Sequence, residues 1–269
     1  MMTETIGEVR VLGIIRKAKS WLKRNRKSKN MFLRWGIRLL DIGVGFFRGV
    51  RDVLTDRNAR AIFCMRFFQP SRTHQTTAAT CLDRYPVIFR GCREYFGEKP
   101  DLKLLSFGCA TGEEVITLRK YFPQAEIVGA EINKNSLRIC RERKLDDKIR
   151  FVDSLPEEIR KYGPYDGIFC MAVFQRTPGL IAEREITDLS RIYPFEKFDK
   201  QVAELDQWLK PDGLMVIHMS QYDFSDTRIA ERYAPYGEYH QNYYSRYVFD
   251  KHSKLKKELG YRYSIYRKQ

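Results

Sequence analysis

From residue 102 onward the apolar positions fall into short continuous runs separated by longer stretches of helical spacing. The run 102–107 (LKLLSF) predicts a strand followed by a helix over 113–122, and 126–131 (EIVGAE) predicts a second strand followed by a helix over 134–144. A third strand is expected at 148–153 (KIRFVD) and a fourth at 165–173 (YDGIFCMAV). Phe195, Phe198, Val202, Leu205 and Leu209 share one face of a helix over 195–209. A fifth strand, 214–219 (LMVIHM), follows the turn residues Pro211, Asp212 and Gly213. The segments 246-RYVFD-250 and 261-YRYSIYRK-268 predict two closing strands. Strands alternating with helices specify an α/β fold, a doubly wound and mostly parallel sheet with helices on both faces.

Upstream the pattern differs. Leu82, Tyr85, Phe89, Cys92 and Phe96 recur at helical spacing, ending near Gly97, with Pro86 suited to the first turn. Residues 55–80 read as a polar, Thr-rich connection, most loop-like at 69-QPSRTHQTTAAT-80. Residues 7–30 place Val9, Leu12, Ile15, Trp21 and Leu22 among many cations. Residues 31–54 are more apolar but are broken by Arg34, Arg38, Asp41, Arg48, Arg51 and Asp52. No apolar run reaches the ~18–20 residues of a membrane span, so no transmembrane helix is expected. The division is therefore a basic amphipathic helical extension (1–60), a connecting loop and helix that caps a cofactor site (61–100), and the main domain (101–269).

Charge sharpens this division. Of a net +15 over 269 residues, the first 60 contribute fifteen Lys and Arg against five acids, a surplus of ten. That concentration suits an anionic surface, either membrane headgroups or nucleic acid, or a helical extension packed on the main domain. The apolar content of 43% allows a sizeable core. Six scattered cysteines without a CxxC pair read as reduced thiols of a cytoplasmic protein and not as a zinc site; no metal is expected. The start, MMTETIGEVR, has no leader-like apolar core.

The candidate chemistry lies in 104-LLSFGCATGEEV-115, at the first strand–helix turn, where ligands of such sheets sit. Gly108 and Gly112 allow a sharp bend and close approach of a ligand to the backbone. Thr111 and Glu114 have the spacing of a capping box. Glu131, nineteen residues after Gly112, ends the second strand and is suited to two ribose hydroxyls. Asp153 ends the third strand, where a carboxylate can receive an adenine amino group. Each acid alone is also an ordinary solvated residue or helix cap; their order at successive strand ends points to an adenosine.

These motifs, with 127-IVGAE-131, 151-FVDSLP-156, 165-YDGIFCMAV-173 and 208-WLKPDGLMVIH-218, resemble those of class I S-adenosylmethionine-dependent methyltransferases over residues about 80–269. Asp212 stands where the family's Leu-Lys-Pro-Gly-Gly turn has its first Gly. The resemblance implies strand order 3-2-1-4-5-7-6 with the last strand antiparallel, and S-adenosyl-L-methionine as cofactor. It places the cofactor among Ser106, Gly108, Cys109, Ala110, Thr111, Gly112, Glu131, Ile132, Asp153, Ser154, Met171 and Ala172. Most members carry an acid where Ser106 stands, and the local motif is similar to that of chemotaxis-receptor methyltransferases. By that analogy Glu113 or Glu114 supplies the missing charge. A nicotinamide enzyme would need a third glycine in the turn, where Ala110 and a glutamate stand, and an aminopropyl transferase an acid-rich pocket not evident near strand four.

Methyl transfer needs alignment of a nucleophile more than a fixed catalytic motif. The loop after strand four, 171-MAVFQRTPG-179, lacks the Asn/Asp-Pro-Pro-aromatic pattern of enzymes that methylate planar amines. Gln175 and Arg176 are candidates to touch the acceptor, and His218, Tyr222 and Asp223, around the end of strand five, are weaker ones; loop solvation or core packing accounts for each equally simply. Tyr233, Tyr236, Tyr239, Tyr243, Tyr244 and Tyr247, with His240 and Asn242, form either an aromatic lid or a packing loop. His74 and Gln75 are placed to fold over the cofactor. The leading expectation is a cytoplasmic methyltransferase, peripheral at the inner membrane face, acting on O or N of a small molecule or a glycan- or lipid-linked precursor. RNA methylation through the basic segment and a non-catalytic binding protein of the same fold are the alternatives.

Overall fold

A computed structural model describes residues 16–17, 20–176, 178–241 and 247–269. The expectations for 7–15, Asn242, Tyr243, Tyr244 and Arg246 therefore lie outside the described residues, as does Thr177. The chain divides into two compact units at Arg60/Ala61.

In the first unit residues 20–25 are helical, followed by α1 (Met31–Thr55). The Asn30 side chain accepts from the Leu33 N–H at 3.2 Å and starts α1. Only Ile37 of α1 is buried. Phe32, Trp35, Leu39, Ile42 and Phe46, spaced by three or four residues along one face, are exposed, Phe32 to 84%. No described helix is long and apolar enough to cross a membrane.

The next helix, α2 (Arg57–Phe68), replaces the polar connection expected over 55–80. Asp56 caps it, accepting from Ala59 N at 2.8 Å, and Ala61 and Met65 bury one face. Helix α3 (Pro86–Phe96) begins with Pro86 and ends at Gly97, in the left-handed region at φ 53°.

Five parallel strands build the sheet: β1 (Lys103–Phe107), β2 (Glu126–Glu131), β3 (Ile149–Asp153), β4 (Tyr165–Met171) and β5 (Leu209–His218). Two more strands, β6 (Tyr233–Pro235) and β7 (Ile265–Lys268), complete it in the order β3-β2-β1-β4-β5-β7-β6. Strand β7 runs antiparallel to both β5 and β6. Between strands lie α4 (Glu113–Tyr121), α5 (Lys134–Glu142), α6 (Pro156–Arg160), α7 (Pro178–Glu183) and α8 (Phe195–Asp206).

Alternation along the strands feeds two cores. Leu105, Phe107, Val128 and Ala130 pack with Ile159, Phe198, Val202 and Leu205 of α6 and α8. Leu104 and Ile127 pack with Phe89 and Cys92 of α3, Val115 and Leu118 of α4, and Cys140 of α5. All seven residues of β4 are buried, as a central parallel strand covered on both faces requires.

Two strand-level expectations change. The first of the closing strands is Tyr233–Pro235, which pairs with Lys268–Tyr266 of β7, whereas Phe249 makes only isolated bridges. The Pro211-Asp212-Gly213 triplet is not a turn ahead of β5 but an irregularity within it. The register against β4 jumps there from Tyr165↔Leu209 to Gly167↔Leu214, and Asp212 takes φ 58°.

Gly129 of β2 leaves room that packing has used. A Cβ there would lie 2.8 Å from Phe151 Cδ1 and 2.9 Å from Val115 Cγ2. Gly129→Ala is expected to destabilise the protein by ~1–3 kcal/mol through overpacking. The check is the denaturant midpoint at unchanged slope; an unchanged midpoint would mean that β2 and α4 have slack between them.

Candidate active site

At the carboxyl end of β1 the chain reverses through Gly108 (φ 78°), Ala110 (φ 50°) and Gly112 (φ 96°). A Cβ on Gly108 would meet Val173 Cγ2 at 2.7 Å, so the corner lies directly against the end of β4. Gly108 N and Cys109 N both donate to Ala130 O, at 2.8 and 3.1 Å, joining the corner to β2. Ala172, just past β4, and Met219, just past β5, also hold positive φ (59° and 56°). Left-handed backbone at non-glycine residues is costly, and here it recurs at three neighbouring strand ends.

Glu131 closes the corner. Its Oε2 accepts from Ala110 N at 2.8 Å and its Oε1 from Asn133 N at 2.7 Å. Asn133 in turn caps α5, accepting from Asn135 N and Ser136 N. Burial pushes the Glu131 carboxyl up to about 7, against the N–H groups of Asn133, Ala110 and Ile132, which favour its charge.

The expected capping box does not form. Because Gly112 adopts the left-handed conformation, it becomes the N-cap of α4 without a side-chain bond. Thr111 Oγ1 instead donates to Glu113 Oε2 at 2.6 Å, and Glu113 also pairs with Arg143. Glu114 is released inward. It accepts from Ser106 Oγ at 2.7 Å, and burial raises its carboxyl to about 8 despite that bond and the nearby Arg84.

One cavity gathers these groups. Its sheet-side wall includes Gly108, Cys109, Ala110, Glu114, Glu131, Ile132, Ser154, Met171, Ala172 and Val173. Ser106, Thr111, Gly112 and Asp153 are not part of that wall: Ser106 reaches it through Glu114. Asp153 lies level with Glu131 in the β2–β3 register. Its Oδ2 is paired with Lys134, and its Oδ1 is buried without a hydrogen-bond partner among the described residues.

The facing wall is the segment His74–Cys81 with Arg84 and Tyr85. Gln75 Nε2 donates to Ala172 O across 97 residues of sequence. His74 bonds Tyr193 OH at 2.9 Å and Gln201 Oε1 at 3.3 Å, and burial depresses its pKa to about 3, with Lys197 and Arg176 adding to the effect. The sequence singled out His74 and Gln75 but not Thr76–Cys81, whose only local signal is a run of threonines and alanines.

The weaker acceptor-side candidates separate. Gln175 is buried, with Nε2 3.3 Å from Ala172 O. Arg176 lies over the Tyr193 ring at 5.6 Å. His218 is a core residue, bonded to Ser264 Oγ at 2.9 Å and lowered to about 3, chiefly by burial. Tyr222 is fully buried and its hydroxyl contacts Tyr193 O and Ser253 Oγ. Asp223 faces Lys256 and Arg262. None of these five lines the cavity. The described tyrosines of 233–247 form packing contacts and no lid: Tyr233 bonds Asp206 and Tyr239 bonds Glu94. The Tyr239 ring rests on Gly91, where a Cβ would come within 2.3 Å of it.

A family profile described as a methyltransferase domain matches residues 82–253, more than half of the chain. Three curated proteins are also similar. An uncharacterized protein of Rickettsia prowazekii (strain Madrid E) is 24% identical over 141 residues, 49% of this chain and 50% of that one. A tRNA (guanine-N(7)-)-methyltransferase of Brugia malayi is 24% identical over 190 residues, 64% and 69%. A malonyl-[acyl-carrier protein] O-methyltransferase of Halalkalibacterium halodurans is 28% identical over 118 residues, 42% and 37%. The chain thus spans half the length of the Rickettsia relative and little more than a third of the Halalkalibacterium one.

Proposed function

The chain belongs to the class I S-adenosylmethionine-dependent methyltransferases, and we propose that it holds its cofactor along the sheet-side wall of the cavity and methylates O or N of a small molecule or of a glycan- or lipid-linked precursor. The observation that carries this reading is the pair of carboxyls, buried Glu131 and half-buried Glu114, flanking one glycine corner in one cavity. In the proposal Glu131 receives the ribose hydroxyls and Glu114 the ammonium of the methionine moiety. Ser154, which lines the cavity, faces the adenine, with Asp153 next to it at the end of β3. The residues suit the group: a carboxylate retains acceptor capacity after its backbone bonds, and the Gly108 position admits no side chain. The cofactor supplies a methyl already activated on a sulfonium. The protein's part is to orient the acceptor and exclude water, for which the Gln75–Ala172 bond holds the arm, the segment His74–Cys81, against the end of β4. Calorimetry with S-adenosylhomocysteine tests the reading; absence of binding would end it.

Support for a membrane-borne acceptor comes from α1, whose exposed face carries Phe32, Trp35, Leu39, Ile42 and Phe46. Before it stand Lys23, Arg24, Arg26, Lys27 and Lys29. Apolar residues in the interface plus cations on anionic lipid is the arrangement of an interfacial helix. The full chain is expected to sediment with phosphatidylglycerol vesicles and not with phosphatidylcholine vesicles. Phe32→Ser with Phe46→Ser should abolish sedimentation while leaving S-adenosylhomocysteine binding intact; equal sedimentation of the variant would remove the membrane from the proposal.

RNA is the second reading, favoured by the same cations and by the similarity to a protein named as a tRNA methyltransferase. It requires retention of RNA that falls steeply with salt. A non-catalytic role draws its support from Ser106, but Glu114 brings a carboxyl to the same cavity.

A further inference from the structure

Four cations, Arg66, Arg72, Arg176 and Lys197, gather around the His74 end of the cavity. Arg72 lines the cavity, and its Nη2 is buried with no hydrogen-bond partner among the described residues. Its Nη1 has only a long contact, 3.4 Å to Gln69 Oε1. Arg66 donates to Thr76 Oγ1 at 3.2 Å, and Thr76 is a lining residue. Arg176, whose Nε is likewise buried without a partner, and Lys197 sit at 5.6 and 5.8 Å from the centre of the Tyr193 ring, behind His74. Lys197 donates to Pro70 O and Thr73 O, both at 2.6 Å, and so fixes the start of the arm.

Charge repulsion links three of these cations, Arg66, Arg176 and Lys197. Burial and then Arg176 lower Lys197 to about 8. Burial lowers Arg176 too, with Arg66 adding to the effect. Yet none of the four forms an ion pair among the described residues, although their unit pairs charges freely elsewhere. Asp166 meets Lys99 and Lys210, Asp199 meets Arg228, and Asp206 meets Arg232 and Lys268. Glu204 accepts from Gln201 Nε2 at 2.8 Å, and Glu114 and Glu131 belong to the opposite wall. Unpaired guanidinium groups at half-buried positions are costly unless an anion completes them.

We propose that this end of the cavity binds an anionic group of the methyl acceptor, a carboxylate or a phosphate, with Arg72 as its direct contact and Arg66 and Arg176 supplying the surrounding field. The inference rests on the methyltransferase reading for calling the ligand an acceptor; the anion site itself does not depend on it.

The test uses the full chain, saturated with S-adenosylhomocysteine, at ionic strength held constant with NaCl. Inorganic phosphate and butyrate are titrated separately, followed by calorimetry and thermal shift. Saturable binding of phosphate alone assigns a phosphate-bearing acceptor, and of butyrate alone a carboxylate. Arg72→Gln is expected to weaken that binding about tenfold or more, the scale of a charge-assisted hydrogen bond, with affinity for S-adenosylhomocysteine unchanged. Arg72→Lys, which keeps charge but not the fork, should lose less, and Arg176→Gln should fall between. Binding of neither anion, or equal binding by wild type and Arg72→Gln, overturns the proposal. If S-adenosylhomocysteine itself does not bind but phosphate still does and is lost in Arg72→Gln, the cofactor placement fails while the anion site stands.

Discussion

Glu131→Ala is expected to weaken binding of S-adenosylmethionine and S-adenosylhomocysteine about a hundredfold, ~3 kcal/mol, the worth of two hydrogen bonds to a charged acceptor. Two effects add. The ribose loses its acceptors, and Ala110 N and Asn133 N lose the oxygens they now meet at 2.8 and 2.7 Å. Glu131→Gln should lose less, because the amide oxygen can serve one of those N–H groups while the amide nitrogen opposes the other. Adenine alone provides the internal control: it has no ribose, so its affinity should fall only as far as the corner loosens, whereas methylthioadenosine should lose nearly as much as the full cofactor. An equal loss for adenine and methylthioadenosine would show that Glu131 holds the corner and not the sugar.

What could be read from the sequence and what could not divide along the range of the interactions involved. Strands β1 to β5 were legible because each is apolar on its own account and bounded by polar helical stretches. Of the expected site residues, Gly108, Cys109, Ala110, Glu131, Ile132, Ser154, Met171 and Ala172 meet in one cavity, since strand ends in a parallel sheet converge whatever their neighbours are. Strand β6 was not legible: Tyr233–Pro235 is three residues with a proline, and only β7 makes it a strand. Helix α2 was hidden because its buried face is just Ala61 and Met65 among arginines. The arm is fixed by contacts of long sequence separation, Gln75 to Ala172 and His74 to Tyr193, which no local pattern reports. Glu114 was ambiguous for a different reason. Thr111 offered it a plausible capping partner, and a single backbone angle, φ 96° at Gly112, decides that it faces the cavity.

That angle has a thermodynamic consequence. With its carboxyl raised to about 8 from an ordinary 4.5, Glu114 is mostly protonated in the free protein at pH 7. A cationic ammonium beside it favours the charged form, so binding expels a proton. The cofactor's own ammonium titrates near pH 8, so the informative quantity is the ratio of wild-type to Glu114→Gln affinity, in which the ligand's titration cancels. That ratio is expected to rise by up to about tenfold per pH unit between pH 6 and 8 and to level off above it. Calorimetry at pH 7 in buffers of different ionisation enthalpy should show proton release for wild type beyond that of the variant. The sign for stability is opposite. Between 4.5 and about 8 the folded protein holds a proton that the unfolded chain has lost, so Glu114 costs the free protein stability as pH rises through that interval. Glu114→Gln should therefore melt at a temperature that gains on wild type as pH increases from 6 to 9. Methylthioadenosine, which has no ammonium, should show no rising ratio; a ratio that rises for it as steeply as for S-adenosylmethionine would mean that Glu114 does not meet the amino group.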